Sequence, residues 1–327
     1  MARVGLVLGA GGIVGQAYHA GVLAALEHDL GWDPRTADLI VGSSAGSVTG
    51  TALRLGVPAS DLACWSVDSP VSEEGAPLLE KFGADAPEFP PFDASRMLRG
   101  WRLPSAALLA RTIRRPWAFR PTVAAVTLLP AGDVDITEHA TLLDEFVGEE
   151  WPERLWLCAV RRLDGKRVAF GRPGAPKATL AQAVTASCGI PGYFKPVKIG
   201  KHEYVDGGAH SPTNADIVRR ENLDLVIVSS PMSAAHGRAP TPDAPLRWRA
   251  HQALQREVQR LRSAGIVVVR FEPSARTLAV MGVNAMAEDR SDRVTRAAFF
   301  DAGAYAATKR VRERLSVINA RGARATA

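Results

Sequence analysis

The chain has 327 residues, 46% of them hydrophobic and 23% charged, with 29 Gly and 22 Pro. That mixture excludes wholesale disorder, collagen and coiled coil, and the length suits one large domain or two medium ones with a sizeable core, a single domain over 1–327 being the expectation. The net charge is +6, carried by 33 Arg and 7 Lys. An Arg-rich, Ala-rich composition also arises from a GC-rich genome, and no recognisable nucleic-acid motif accompanies the charge, so nucleic acid is not expected as a partner.

The three cysteines, Cys64, Cys158 and Cys188, are too scattered for a disulfide framework or a CxxC metal site. The N-terminal ten residues run straight into a strand and a glycine loop, without a charged-then-apolar leader. No apolar run approaches the ~20 residues that span a bilayer. A cytoplasmic protein, at most peripheral to a membrane, is the expectation.

In chain order, Val4–Leu8 is a short apolar run that reads as a buried strand. A glycine loop, 9–15, leads into helical spacing over 16–29. A second buried strand is expected at 38–41, then Gly42-Ser43-Ser44-Ala45-Gly46 and a helix to about residue 55. This alternation implies an α/β architecture with a parallel sheet. The rhythm breaks over 66–132, which holds nine prolines. Its first part, 68–93, has seven acidic residues and one lysine, while 94–132 has seven arginines and no acid. It reads as an insertion or lid, or as a plain solvated connection.

Regular structure resumes with a hairpin, 155–160 and 167–170, turning at Asp164-Gly165. A helix capped by Thr179 follows from Leu180. Short strands are expected at 194–199 and 203–205, core strands at 223–228 and 266–271, and helices at 244–263 and 291–315. The region 285–327 reads as helical.

The loop Gly9-Ala10-Gly11-Gly12-Ile13-Val14-Gly15 joins a strand to a helix, so its N–H groups face whatever lies over the helix N-terminus. A dinucleotide pyrophosphate and the oxyanion of acyl transfer are both plausible guests. Gly9, Gly12 and Gly15 match a GxxGxxG spacing found in some nicotinamide-dependent epimerases and reductases. That reading requires an acidic residue at the end of the second strand. The sequence instead runs from Val41 into Gly42-Ser43-Ser44-Ala45-Gly46. Gly-x-Ser-x-Gly between strand and helix is a nucleophile elbow, with small residues flanking a serine at the apex of a sharp turn. Further on, Tyr204-Val205-Asp206-Gly207-Gly208 ends a strand in a carboxylate, and Ala186-Ser187-Cys188-Gly189-Ile190-Pro191 lies just upstream.

These three blocks, in this order over about residues 4–210, resemble the patatin-like phospholipase family. The resemblance implies a patatin-like three-layer fold and a serine acyl hydrolase acting on esters of glycerolipids, without metal or organic cofactor. It implies Ser44 as nucleophile, Asp206 as its base, and an oxyanion hole from the N–H groups of Gly11 and Gly12. Gly9, Gly15, Gly42, Gly46, Gly207 and Gly208 complete the matching motifs. The chain departs from the pattern at Val14, where the family often carries Arg or Lys.

Other residues admit plainer readings. Ser43 is expected to pack in the elbow, His19 to serve the core or a cap, and Cys188 to be a buried thiol. His202 and His210 bracket Asp206 and raise the possibility of a triad, as do the later His236 and His251. However, Ser44 follows only the second strand, too early for an α/β-hydrolase order. Tyr305 and Lys309 share the spacing of a reductase pair, on a stretch read as helix surface. The arginines between 94 and 120, with Trp101 and Trp117, suit contact with an anionic membrane or form a simple basic surface. The rival functions are a nicotinamide-dependent reductase on the 9–15 loop and a catalytically silent lipid-binding protein.

Overall fold

A computed structural model describes residues 2–83, 106–114, 121–136, 144, 150–235 and 241–322. Eight strands form one sheet: β1 (Val4–Leu8), β2 (Leu39–Ser43), β3 (Leu155–Arg161), β4 (Lys166–Phe170), β5 (Val197–Ile199), β6 (His202–Asp206), β7 (Leu225–Ser229) and β8 (Val267–Phe271). The parallel part runs β3-β2-β1-β7-β8, and β4, β6 and β5 add antiparallel pairs at the β3 side. Strands β1, β2 and β7 are buried at every residue. Burial on both faces is why their sequences are unbroken apolar runs rather than alternating ones.

The helices are α1 (Gly12–Leu30), α2 (Ala45–Arg54), α3 (Ala59–Ser66), α4 (Ala76–Gly83), α5 (Ala106–Arg114), α6 (Pro121–Leu128), α7 (Leu180–Cys188), α8 (Ala244–Arg262), α9 (Ala275–Met281), α10 (Ser291–Ala306) and α11 (Lys309–Gly322). Alternate side chains of the sheet serve two cores. Leu6, Leu8, Ile40, Leu157 and Ile227 face α1, α7, α10 and α11, whereas Val7, Val41, Trp156 and Val228 face α8 and the turn at Ala215–Val218. The result is three layers, helices on both faces of a sheet. α1 is apolar almost all round because it lies under α2, α3 and α10 as well as on the sheet.

Several boundaries differ from the sequence-based expectation. β2 extends to Ser43, and the 194–199 strand shrinks to Val197–Ile199, with Phe194 making only a single bridge to Val134. The expected helix over 291–315 is two helices, broken at Ala307 and Thr308. Thr308 turns its hydroxyl back onto the Tyr305 carbonyl at 2.7 Å, a local bond that competes with helix continuation. Tyr305 and Lys309 consequently belong to different helices. In the 66–132 stretch α4, α5 and α6 are helical. Of the residues invoked for membrane contact, Arg96, Arg99, Trp101, Arg102, Arg115, Trp117 and Arg120 lie outside the described residues, as does His236.

Candidate active site

Parallel strands end on one edge of a sheet, and that edge carries the loops able to build a site. β1 delivers the glycine loop there, β2 delivers Ser44, and β7 delivers Ser230 and Pro231. β6 arrives from the opposite direction. β4 occupies one side of β3 throughout, pairing with Leu157 to Arg161. On the other side β2 pairs with β3 as far as Ser43 opposite Cys158, and β6 takes over at the next residue, with Asp206 opposite Ala159. The two strands therefore meet end to end, and Ser44 and Asp206 are the residues at the junction.

Ser44 has φ 52° and ψ −121°, a left-handed conformation rare for a residue with a side chain. The surroundings hold it there. Its N–H donates to Ser187 Oγ at 2.9 Å, and Ser187 Oγ donates to the Cys158 carbonyl at 2.7 Å. Its carbonyl accepts from Ser47 N at 2.7 Å, from Ser47 Oγ at 2.6 Å and from the Cys188 thiol at 3.6 Å. Burial pushes that thiol up to about 12, so it stays a neutral donor. The following helix starts close under β1: a Cβ on Gly46 would collide with the Leu8 carbonyl.

Ser44 and Asp206 are 7% and 6% exposed. Burial raises the Asp206 carboxyl from 3.8 to about 6, and the Ser44 side chain and the Gly208 N–H, which donates to Oδ1 at 2.6 Å, pull weakly the other way. A base with such a pKa beside a serine hydroxyl, at the start of a helix, can take a proton near neutral pH. Gly11 and Gly12 sit at the N-terminus of α1, and among the described residues their N–H groups have no backbone acceptor. Gly12 is left-handed at φ 62°, and a Cβ there would approach the Ala285 carbonyl oxygen to 2.5 Å. That carbonyl accepts the Val14 N–H at 3.0 Å.

A family model described as patatin-like phospholipase matches residues 6–219. The chain belongs to the patatin-like phospholipase family. No curated protein shows significant sequence similarity to it. Among solved structures it is similar to VipD from Legionella pneumophila, at 12% identity and TM-score 0.41, covering 92% of this chain and 66% of that one. It is also similar to the ExoU–SpcU complex of the type III secretion system of Pseudomonas aeruginosa, at 17% identity and TM-score 0.37, covering 96% of this chain and 52% of that one. The chain thus spans about two thirds of the first and half of the second.

Within this patatin-like protein, Val14 is 2% exposed and packs in the core, so no basic side chain enters the site from that position. His19 is fully buried. Its Nε2–H donates to the Gly9 carbonyl and its Nδ1 accepts from Ser229 Oγ, both at 2.8 Å. Burial lowers it to about 4, so it is a neutral strut under the glycine loop. His210 bonds Asn214 at 3.1 Å and His251 pairs with Glu272 at 2.6 Å, and neither bonds Asp206.

Asn214 is one of the residues that sequence reasoning passed over. It adopts φ 53° and sends its amide to Ser43 Oγ at 2.9 Å, the Gly207 carbonyl at 3.2 Å and the Ser211 carbonyl at 2.8 Å. One side chain so ties the end of β2 to the turn after β6. Ser43 is an anchor for this tie. Asn214 Oδ1 is itself held by Arg167 Nη1 at 3.2 Å, and Arg167 is ion-paired with Asp216. A signal was present: Asn tolerates the left-handed region better than other side-chain-bearing residues, and it follows a proline turn.

A second set of supports lies beyond the matched region. Arg247 on α8 is paired with Asp243 and donates to the Pro231 carbonyl at 2.9 Å and the Gly282 carbonyl at 3.5 Å. These carbonyls begin the two segments that flank the glycine loop, one reaching Gly11 and Gly15 through Pro231, the other reaching Gly12 through Ala285. Among the described residues no cluster of three or more His, Cys, Asp or Glu is grouped to hold a metal ion, and no helix is long and apolar enough to cross a membrane.

Proposed function

We propose that this protein is a lipid acyl hydrolase that cleaves carboxylic esters with Ser44 and Asp206 through an acyl-enzyme. Ser44 Oγ attacks the ester carbonyl carbon while Asp206 takes the hydroxyl proton. The oxyanion is held by the Gly11 and Gly12 N–H groups at the positive end of α1. Collapse breaks the ester bond, and the departing alkoxide receives the proton from Asp206. Water, deprotonated by the same carboxylate, then attacks the acyl-enzyme carbonyl, and collapse breaks the Ser44 Oγ–acyl bond, frees the acid and returns the proton from Asp206 to Ser44 Oγ. Losing one oxyanion donor typically costs ~10²–10³ in rate, so the glycine loop carries a large share of the catalysis.

The observation that supports this most directly is the end-to-end junction of β2 and β6, with a carboxyl raised to about 6 beside a strained serine. The dinucleotide reading lacks support: no acid ends β2, and Tyr305 and Lys309 sit on separate helices. A fluorophosphonate probe tests the proposal. Wild-type protein should be labelled once, at Ser44, and Ser44→Ala should lose both label and ester hydrolysis. Asp206→Asn should reduce hydrolysis to background, whereas His210→Ala and His251→Ala should keep most of it. A folded histidine variant as inactive as Ser44→Ala would replace the dyad by a triad.

A further inference from the structure

α1 and α2 both begin at the candidate site, and between them lies a cavity of about 520 Å³, a size typical of small-ligand pockets. Its apolar walls are Ile13, Ala17 and Ala20 on α1, at i, i+4 and i+7, Val48 and Ala52 on α2, and Leu62 and Trp65 on α3. Gln16, Thr49, Ser66, Glu288 and Ser291 add polar groups to the lining, so the apolar strip along α1 and α2 is the part that suits a hydrocarbon chain. Ile13 directly follows Gly12, and Val48 is one turn past Ser44, whose carbonyl accepts its N–H at 3.4 Å. The lining therefore starts one residue from Gly12 and one turn from Ser44, and it continues along the two helices. Alanines at 17, 20 and 52 leave its width free, and Trp65, 54% exposed, keeps a large apolar wall open to water at its margin.

We propose that this cavity binds one acyl chain of the substrate, with the ester carbonyl at Ser44 and the methyl end toward Ala20 and Ala52. The inference rests on the acyl-hydrolase reading and adds chain length to it. From Ile13 to Ala20 the helix rises about 10 Å at ~1.5 Å per residue. With carbon–carbon bonds of about 1.5 Å, an extended chain advances roughly 1.3 Å per methylene, so the straight run takes about eight carbons. Each buried methylene should raise kcat/KM roughly two- to fourfold up to that length, with no further gain beyond it.

p-Nitrophenyl esters from acetyl to palmitoyl test this on the wild-type chain, together with Val48→Phe, which fills the entrance, and Trp65→Ala, a surface truncation that spares the core. kcat/KM should climb to octanoyl or decanoyl and then level. The decanoyl-to-acetyl ratio should fall at least tenfold in Val48→Phe and at least threefold in Trp65→Ala. A flat series, or folded variants that keep the wild-type ratio, would overturn the assignment. If the wild-type chain hydrolyses no ester of any length, the acyl-hydrolase reading fails on its own. Decanoate binding to the Ser44→Ala protein, followed by calorimetry, then decides the cavity separately. Binding weakened at least fivefold by Val48→Phe or Trp65→Ala supports it, and absent or unaltered binding refutes it.

Discussion

Asp206 must be charged to act as a base, yet its surroundings favour the protonated form. Its carboxyl stands at about 6 in the folded protein against an ordinary 3.8, because burial outweighs its hydrogen bonds. Well below pH 3.8 the carboxyl is protonated in both folded and unfolded chains, and the group costs nothing. Between 3.8 and 6 the folded protein still holds a proton that the unfolded chain has released, so stability falls as pH rises. Above pH 6 the cost is complete, and at ~1.36 kcal/mol per pKa unit it amounts to about 3 kcal/mol. Asp206→Asn keeps the acceptor for the Gly208 N–H and never carries the charge. The variant should therefore be more stable than wild type by about 2–3 kcal/mol at pH 7, and the gain should shrink to roughly 0.5 kcal/mol by pH 4. Urea unfolding midpoints of both proteins from pH 4 to 8 measure this. In the wild type, kcat/KM should fall through an acidic limb centred near 6, by about tenfold at one unit below the midpoint. An Asp206→Asn protein no more stable than wild type at pH 7, or equally stabilised at pH 4, would refute the argument that burial controls this carboxyl.

Three further substitutions probe the supports. Gly12→Val places a Cβ at φ 62° against the Ala285 carbonyl, and should abolish ester hydrolysis while leaving far-UV circular dichroism unchanged. Ser187→Ala removes the acceptor for the Ser44 N–H and the donor to Cys158, and should lower kcat more than tenfold with a loss of about 1–3 kcal/mol in urea unfolding. Arg247→Met unties the Pro231 and Gly282 segments and should reduce kcat several-fold with little change in KM, with partial rescue in Arg247→Lys; equal losses in kcat and stability would make it purely structural.

What the sequence disclosed, it disclosed through local chemistry. The runs Val4–Leu8 and Leu225–Ser229 announce buried strands because both faces of a parallel sheet are covered. The sharp strand-to-helix turn at Ser44 was legible because it admits only small residues at Gly42 and Gly46. The meeting of β2 and β6 was not legible, since it depends on which residues of β3 each strand pairs with, a long-range choice. Asn214, Arg247 and Ala285 were missed for the same reason: each acts through a contact with a segment distant in sequence. The short helices at Ala59–Ser66 and Ala275–Met281 have too few turns to display a clear apolar period, and they gain their stability from α1 and α10.

The junction at β3 also bears on how the site withstands motion and change. Ser43 and Asp206 are paired with consecutive residues of one strand, so a displacement of β3 carries the two proposed reacting groups, Ser44 and Asp206, together. Their backbones are referred to one peptide length, Cys158 to Ala159, in the buried part of that strand, and the Ser187 and Asn214 bonds hold the flanking turns to it. In the proposed mechanism, segments of the mouth that make none of these bonds can vary without moving the two groups apart. Selection on substrate can then act on the walls while the chemistry keeps a fixed gauge.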